Sequence, residues 1–343
     1  MTAVLVQMAL AAAIAGGVAL AATPAVRRIA IASGVVKHPR DRDVHTTPTP
    51  SWGGIAIVAG LFAAFLALRF LAPAGVFVAD SHQYRPEPLL GIAPRPILGI
   101  LLGGVLVALV GIVDDRFDLS PKWQILGLAV PGLVAALAGA RILGVSNPLP
   151  GLIHVGPYLA LEAWSVPLTV LWVFVATKTF DFLDGLDGLA SGVGGIAAAT
   201  MGLIAYRQGE PTVAVLAAAT AGASVGFLRW NYNPASIFMG SVGSYVLGYL
   251  LSMLAVVGTL KVPAAVSVFL PLMVLGVPVL DGLYVTGRRI ARGQRPTAAD
   301  KTHIHHRLTQ RGLTVRQAVW AIYAMTAGAC LCALFLAWSG GRG

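Results

Sequence analysis

Acidic side chains are scarce in this sequence, fourteen among 343 residues, yet ten of them crowd into a few short stretches: Asp41, Asp43, Asp114, Asp115, Asp118, Asp181, Asp184, Asp187, Asp281 and Asp300. The segment Gly111-Ile-Val-Asp-Asp-Arg-Phe-Asp-Leu-Ser-Pro-Lys122 ends an apolar run with three of them. Asp114 and Asp118 stand four apart, so on a continuing helix they share one face. Carboxylates that close repel unless a cation or a proton intervenes, which points to a divalent metal or to phosphate chemistry. The bland alternative is a solvated helix end, with Asp118 or Ser120 capping the next helix. A second segment, Asp181-Phe-Leu-Asp-Gly-Leu-Asp-Gly188, repeats a carboxylate every third residue, and one face of a helical turn would carry all three. Its glycines allow a backbone to come close to a ligand. Oxygen-only ligands suit Mg²⁺ or Mn²⁺ far better than Zn²⁺. Apolar Phe182 and Leu183 between the acids argue against a merely solvated surface.

A third stretch joins Arg288, Arg289, Arg292 and Arg295 to Asp300 and the run His303-Ile-His-His-Arg-Leu308. Arginine forks bind phosphate bidentately. A basic strip facing anionic lipid headgroups would account for the arginines but not for three histidines within four residues. A zinc site is the rival there, though no cysteine accompanies the histidines.

The elements that must position these groups are membrane helices. Hydrophobic residues make up 57% of the chain and charged ones 11%, and apolar runs recur throughout, which places it in the membrane class. Spans of about 20 residues are expected near 4–23, 52–72, 97–113, 124–143, 164–180, 189–206, 212–228, 241–260, 264–286 and 317–338. Such continuous apolar segments do not alternate as barrel strands do, so the expected fold class is all-α, a polytopic membrane protein of about ten helices. The net charge of +10 could suggest nucleic acid, but the basic residues sort by loop. Alternate loops collect Arg27, Arg28, Lys37, Arg40, Arg42, Arg116, Lys122, Lys178, Arg229 and the basic residues between Arg288 and Arg316, while the opposite loops hold Arg69, Arg85, Arg95, Arg141, Arg207 and Lys261. By the positive-inside rule the N-terminus lies outside, the acids face the cytoplasm, and no nucleic-acid partner is expected. The first span reads as a retained anchor rather than a cleaved signal, because it lacks a basic leading region and is followed by Arg27 and Arg28. Cys330 and Cys332 lie two apart on the last expected helix and should not pair. With no repeat and no soluble appendage, one membrane domain over 1–343 is the simplest division, its working loops near 24–51, 114–123, 178–188, 229–240 and 287–316.

In order along the chain, five motifs resemble those of the polyprenyl-phosphate N-acetylhexosamine-1-phosphate transferases. They are His-Pro-x5-His-x2-Pro-x-Pro-x2-Gly-Gly ending at Gly54, Asp114-Asp115 with Leu-Ser-Pro-Lys122, Asp184-Gly-Leu-Asp-Gly-Leu189, Phe238-Met-Gly-x2-Gly-Ser244, and His303-x-His-His306. The last is similar to the branch that uses UDP-N-acetylglucosamine rather than the one that uses UDP-muramoyl-pentapeptide. The resemblance implies transfer of a HexNAc 1-phosphate from a UDP-sugar to a polyprenyl phosphate such as undecaprenyl phosphate. UMP would be released and a cell-envelope polysaccharide begun, at the cytoplasmic face of the inner membrane, with Mg²⁺ or Mn²⁺ as cofactor and a homodimer as the assembly. It also implies roles. Asp114 and Asp115 bind or activate the lipid phosphate, and Asp118 belongs with them among the catalytic residues. Asp184 and Asp187 organise the nucleotide and metal region. Asn231 and Phe238 touch the uracil. His45, Lys122, Arg288, Arg289, His303, His305 and His306 hold phosphates and sugar.

Departures from the family pattern are not scattered at random. Its usual metal-binding Asp is Ser241, and the Asn three residues before Asp184 is Asp181; Asp181 is expected to restore the metal site's charge, with Ser241 as a weaker ligand. The usual Asp and Lys of the first loop are Lys37 and Asp43, an exchange that would keep an ion pair. A further Asn is Lys178, an Arg is Ser51, and Gln124 stands where Lys is common. A rival reading is therefore a paralogue that binds lipid phosphate or UDP-sugar without turnover. A secondary transporter fits poorly, because the acids lie in loops rather than at the bilayer midplane. So does a CDP-alcohol phosphotransferase, since no Ala-Arg follows Asp184-Gly185.

Overall fold

The computed structural model of the chain describes residues 2–39, 47–71, 95–146, 158–258, 274–293 and 303–339. Helices dominate, as lipid demands: with no water to satisfy backbone groups, only internally bonded segments can cross. In chain order they are α1 (Thr2–Ala32), α2 (Gly54–Leu71), α3 (Arg95–Phe117), α4 (Pro121–Leu137), α5 (Ser165–Leu183), α6 (Leu189–Arg207), α7 (Pro211–Asn231), α8 (Gly240–Gly258), α9 (Gly276–Ala291), the short α10 (Ile304–Gln310) and α11 (Val315–Ser339). Two small antiparallel pairs complete the architecture, β1 (Val36–Lys37) with β2 (Thr49–Pro50) and β3 (Gly144–Ser146) with β4 (Tyr158–Ala160).

Among the described residues, seven helical segments are long and apolar enough to cross a bilayer, namely α1, α3, α5 with its leading turn, α6, α7, α8 and α11; α2 and α4 are shorter apolar helices. The chain is an all-α, multi-pass membrane protein. Three expected spans differ in their limits. The first continues to Ala32 through Pro24. The fourth stops at Leu137, where Ala138 caps it and Gly139 turns away at φ 107°. The ninth falls partly on 264–273, outside the described residues, and α9 runs on to Ala291.

α8 is buried along almost its whole length and packs against α2, α3, α5, α6 and α7. Small residues let the backbones approach, the usual way helices associate in lipid. A Cβ on Gly111 of α3 would sit 2.5 Å from the Val242 Cα, and one on Gly248 of α8 would sit 2.7 Å from the Thr177 Cα on α5. These two contacts bring the ends of α3 and α5, with their acids, to the start of α8. Polar bonds deeper in the bundle support the same packing: Tyr249 donates to the Ile100 carbonyl at 3.1 Å and Trp172 to that of Ser252 at 3.2 Å.

Candidate active site

Several helix ends meet at one end of the bundle. Gly53 and Gly54 donate to the carbonyls of Phe238 and Met239, each at 2.9 Å, and Phe238 donates to the Pro50 carbonyl at 2.8 Å. The β1–β2 hairpin is thereby stitched to the segment that starts α8. Arg27 reaches the Ser236 carbonyl at 3.0 Å and Arg316 the Asn233 carbonyl at 3.0 Å, so the end of α1 and the start of α11 join the same face. At the hairpin's exit Trp52 holds a left-handed backbone, φ 75°, a conformation that costs a non-glycine residue free energy and clusters at functional sites.

The side chain of Asp115 is wholly buried. It accepts from the backbone N–H groups of Ser241 at 3.0 Å and Val242 at 3.3 Å, the first turn of α8. Helix N-termini carry unpaired donors and a partial positive charge, so a buried carboxylate is stable there. Ser51 adds a hydroxyl at 3.4 Å, and the half-exposed Lys37 brings its ammonium within 3.4 Å. Packing around Lys37 works against its charge, but Asp115, Asp184 and Asp181 outweigh it and hold the ammonium above the ordinary lysine range. The expected partner of Lys37, Asp43, lies outside the described residues, as does His45.

Asp114 is also buried, and each of its carboxylate oxygens accepts a hydrogen bond. Leu119 N–H donates at 3.1 Å, the Gln124 amide at 2.9 Å and the Tyr245 hydroxyl at 3.0 Å. Asp118 does not share its face. α3 ends at Phe117, and Asp118 turns into the left-handed region at φ 50° with its side chain exposed, so the expected pair on one helical face is not formed. Ser120 does sit at the N-cap of α4, though its side chain makes no capping bond. Lys122 lies exposed on the first turn of α4.

The three acids of the second cluster also splay, because α5 ends at Leu183 before a full turn can align them. Asp181 is inside the helix, Asp184 is its C-cap, and Asp187 lies beyond, accepting from the Asn233 amide at 2.9 Å and Ala235 N–H at 3.0 Å. Asp184 accepts no hydrogen bond from a described residue. Burial, together with the nearby Asp181, Asp115 and Asp187, lifts its carboxyl well above the usual carboxylate range, against the pull of Lys37.

Asn231 ends α7 deep in the fold, its amide accepting from Gly188 N–H and the Ser191 hydroxyl and donating to the Ile237 carbonyl. Those bonds join the α6 start to the turn before α8, while Phe238 is half-buried beside it. Arg288 and Arg289 lie on the last turn of α9, Arg289 buried. His303 is buried at the N-cap of α10, His306 is half-buried one turn on, and the side chain of His305 is outside the described set.

The residue that sequence reasoning passed over here is Asp281 on α9. One of its oxygens meets His303 Nδ1 at 2.8 Å and the other accepts from Ile304 N–H at 2.8 Å. It both caps α10 and orients the imidazole, whose ring packs against Phe182 with centroids 5.5 Å apart. The signal was present as one more acid near the basic loop, but nothing in the spacing paired it with a histidine 22 residues later.

The expected metal pair is not supported by the side chains present. Both oxygens of Asp181 are engaged, Oδ1 by the Ser244 hydroxyl at 2.9 Å and Oδ2 by the Lys178 ammonium at 2.8 Å. Ser241 contributes its N–H to Asp115 instead. Among the described residues no three of His, Cys, Asp and Glu converge closely enough to hold a metal ion. Mg²⁺ demands near-octahedral oxygen ligation, and this donor set does not fit a protein-built site of that kind.

Buried acids on helix ends, lysines interleaved with them, and a bundle of apolar helices around both make up a charged site in a polytopic membrane protein. The sequence profile of glycosyl transferase family 4 matches residues 97–259. The chain is 35% identical over 305 residues to the probable undecaprenyl-phosphate N-acetylglucosaminyl 1-phosphate transferase of Bacillus subtilis, covering 88% of this chain and 77% of that one. It is 34% identical to the decaprenyl-phosphate N-acetylglucosaminephosphotransferase of Mycobacterium tuberculosis (88% and 76% covered). It is 29% identical to the undecaprenyl-phosphate alpha-N-acetylglucosaminyl 1-phosphate transferase of Yersinia pestis (85% and 74%). The chain belongs to the polyprenyl-phosphate N-acetylhexosamine-1-phosphate transferases of glycosyl transferase family 4.

Proposed function

We propose that this enzyme transfers N-acetylglucosamine 1-phosphate, or a closely related HexNAc 1-phosphate, from a UDP-sugar to undecaprenyl phosphate at the cytoplasmic face of the inner membrane, beginning an envelope polysaccharide. A lipid phosphate oxygen attacks the phosphorus attached to the sugar. The bond from that phosphorus to the bridging oxygen of the diphosphate breaks, and UMP leaves with the electron pair. A phosphate monoester with a second pKa near 6 is already mostly dianionic at neutral pH, so the protein's task is positioning and charge balance rather than proton removal. Lys37, half-exposed beside buried Asp115, is placed to meet an incoming phosphate. Asp114, held by three donors, presents a fixed carboxylate edge at the same place. Buried Arg289 on α9 and His303 at the start of α10 would meet the soluble donor. The observation that carries this reading is the Lys37–Asp115 pair seated on the first turn of α8.

A second reading is favoured by Asp181 and Asp114, whose oxygens are committed to protein partners: a paralogue that binds the lipid phosphate or the UDP-sugar without turnover. UMP release by purified protein given undecaprenyl phosphate and UDP-N-acetylglucosamine separates the two. The transferase reading expects release that Asp114→Asn lowers at least a hundredfold. Retained nucleotide binding with no release from any UDP-sugar leaves the binder.

A further inference from the structure

Lys178 occupies an unusual place for a lysine, near the end of an apolar helix with most of its side chain out of solvent. Its ammonium has three donors, and each has a partner: Asp181 Oδ2 at 2.8 Å, Gln124 Oε1 at 2.8 Å and the Tyr245 hydroxyl at 3.3 Å. The rings of Phe182 and Tyr245 lie 5.5 Å and 5.2 Å from it, so aromatic faces supplement the carboxylate in stabilising the charge. Through Gln124 the effect reaches Asp114, because the amide that accepts from Lys178 donates to Asp114 Oδ1 at 2.9 Å and to the Leu119 carbonyl at 3.1 Å. One ammonium thus ties α4, α5 and α8 together and serves one acid of each cluster.

We infer that Lys178 is the resident cation of this site, neutralising the acids in place of a divalent metal, so that the protein binds nucleotide diphosphate without added Mg²⁺ or Mn²⁺. A metal at Asp181 would have to displace an ammonium 2.8 Å away and a hydroxyl 2.9 Å away. Asp115 is committed to the α8 N-terminus and Lys37, and Asp187 is held through Oδ2 alone, by Asn233 and Ala235. Of the five acids around Lys178 and Lys37, Asp184 alone accepts no hydrogen bond from a described residue, and while Lys178 holds Asp181 no three of His, Cys, Asp and Glu among the described residues converge to hold a metal ion. Lys37 has one carboxylate contact among the described residues and half its side chain in solvent.

The nucleotide arm of this inference rests on the transferase reading; the metal arm does not. The test uses the full chain purified in detergent. Mn²⁺ uptake is followed by electron paramagnetic resonance with and without UDP, and UDP affinity is measured in EDTA and in millimolar MgCl₂. Wild type is expected to take up no stoichiometric Mn²⁺ and to bind UDP equally, within about twofold, in both buffers. Lys178→Met keeps the aliphatic stem between Phe182 and Tyr245 but deletes the charge, freeing Asp181 three residues from Asp184. It is expected to gain one Mn²⁺ per chain and to bind UDP at least tenfold more weakly in EDTA than in MgCl₂. Lys178→Arg is expected to remain free of Mn²⁺. One tightly bound Mn²⁺ per wild-type chain, or a tenfold loss of UDP affinity in EDTA, overturns the inference. So does a folded Lys178→Met protein that takes up no Mn²⁺. If Lys178→Met does not fold, the wild-type measurements decide alone. A chain that binds no UDP in either buffer counts against the transferase reading and leaves the Mn²⁺ result standing.

Discussion

At the scale of single residues, similar side chains have been given different work by their surroundings. Asp114 and Asp115 are neighbours, yet one is held by three neutral donors and the other by a helix end and an ammonium. Asp184 has neither, and its carboxyl is held in the neutral form beyond the usual range. For such a group the folded pKa lies above the unfolded one. Its contribution is present in full below the unfolded value near 4 and is lost as pH rises through the folded pKa. Thermal melts should therefore show Asp184→Asn gaining stability relative to wild type at pH 8, by about 2 °C or more, and little at pH 4. Asp281 offers a sharper test of orientation. Asp281→Asn keeps an oxygen for Ile304 N–H but can present an N–H to His303 Nδ1, reversing the imidazole's tautomer. Melting temperature should hold within about 2 °C while turnover drops on the order of a hundredfold. Asp281→Ala should lose both.

At the scale of elements, the site depends on how closely α3 and α5 approach α8. A methyl group on Gly111 would meet α8 backbone at 2.5 Å, and backbone cannot swing aside as a side chain can. Gly111→Ala should destabilise the bundle by about 1–3 kcal/mol and loosen Asp115 from Ser241 and Val242. Gly104, on the same helix, has only a ring carbon of Tyr249 at 3.9 Å. Gly104→Ala is expected to leave both the melt and UDP binding unchanged. A Gly111→Ala protein indistinguishable from wild type would show that the α3–α8 contact does not hold the acid in place.

Across the whole molecule, the ends that carry the acids gather on one side of the bundle, as the basic loops do in the sequence. A cysteine-free background with Lys122→Cys or Ala163→Cys reads the orientation directly, since both positions are exposed and lie at opposite ends. An impermeant maleimide should label Ala163→Cys on intact spheroplasts and Lys122→Cys only in inverted vesicles. Labelling in the reverse pattern would place the acids outside the cell.

The spans and the acid-bearing motifs were legible along the chain, because crossing lipid requires long apolar runs whatever the packing. Spacing misjudged Asp118 and the Asp181–Asp187 series, since it assumed helices that continue, and both helices stop one turn too soon. Lys178 and Asp181, three apart, were neighbours already along the chain, but the hydrogen bonds that reach the site across helices were not legible. Lys178 meets Gln124 across 54 positions, Ser51 meets Asp115 across 64 and Tyr245 meets Asp114 across 131. Which side chain meets which carboxylate across helices is decided by close packing around α8, and a one-dimensional pattern holds no record of those distances.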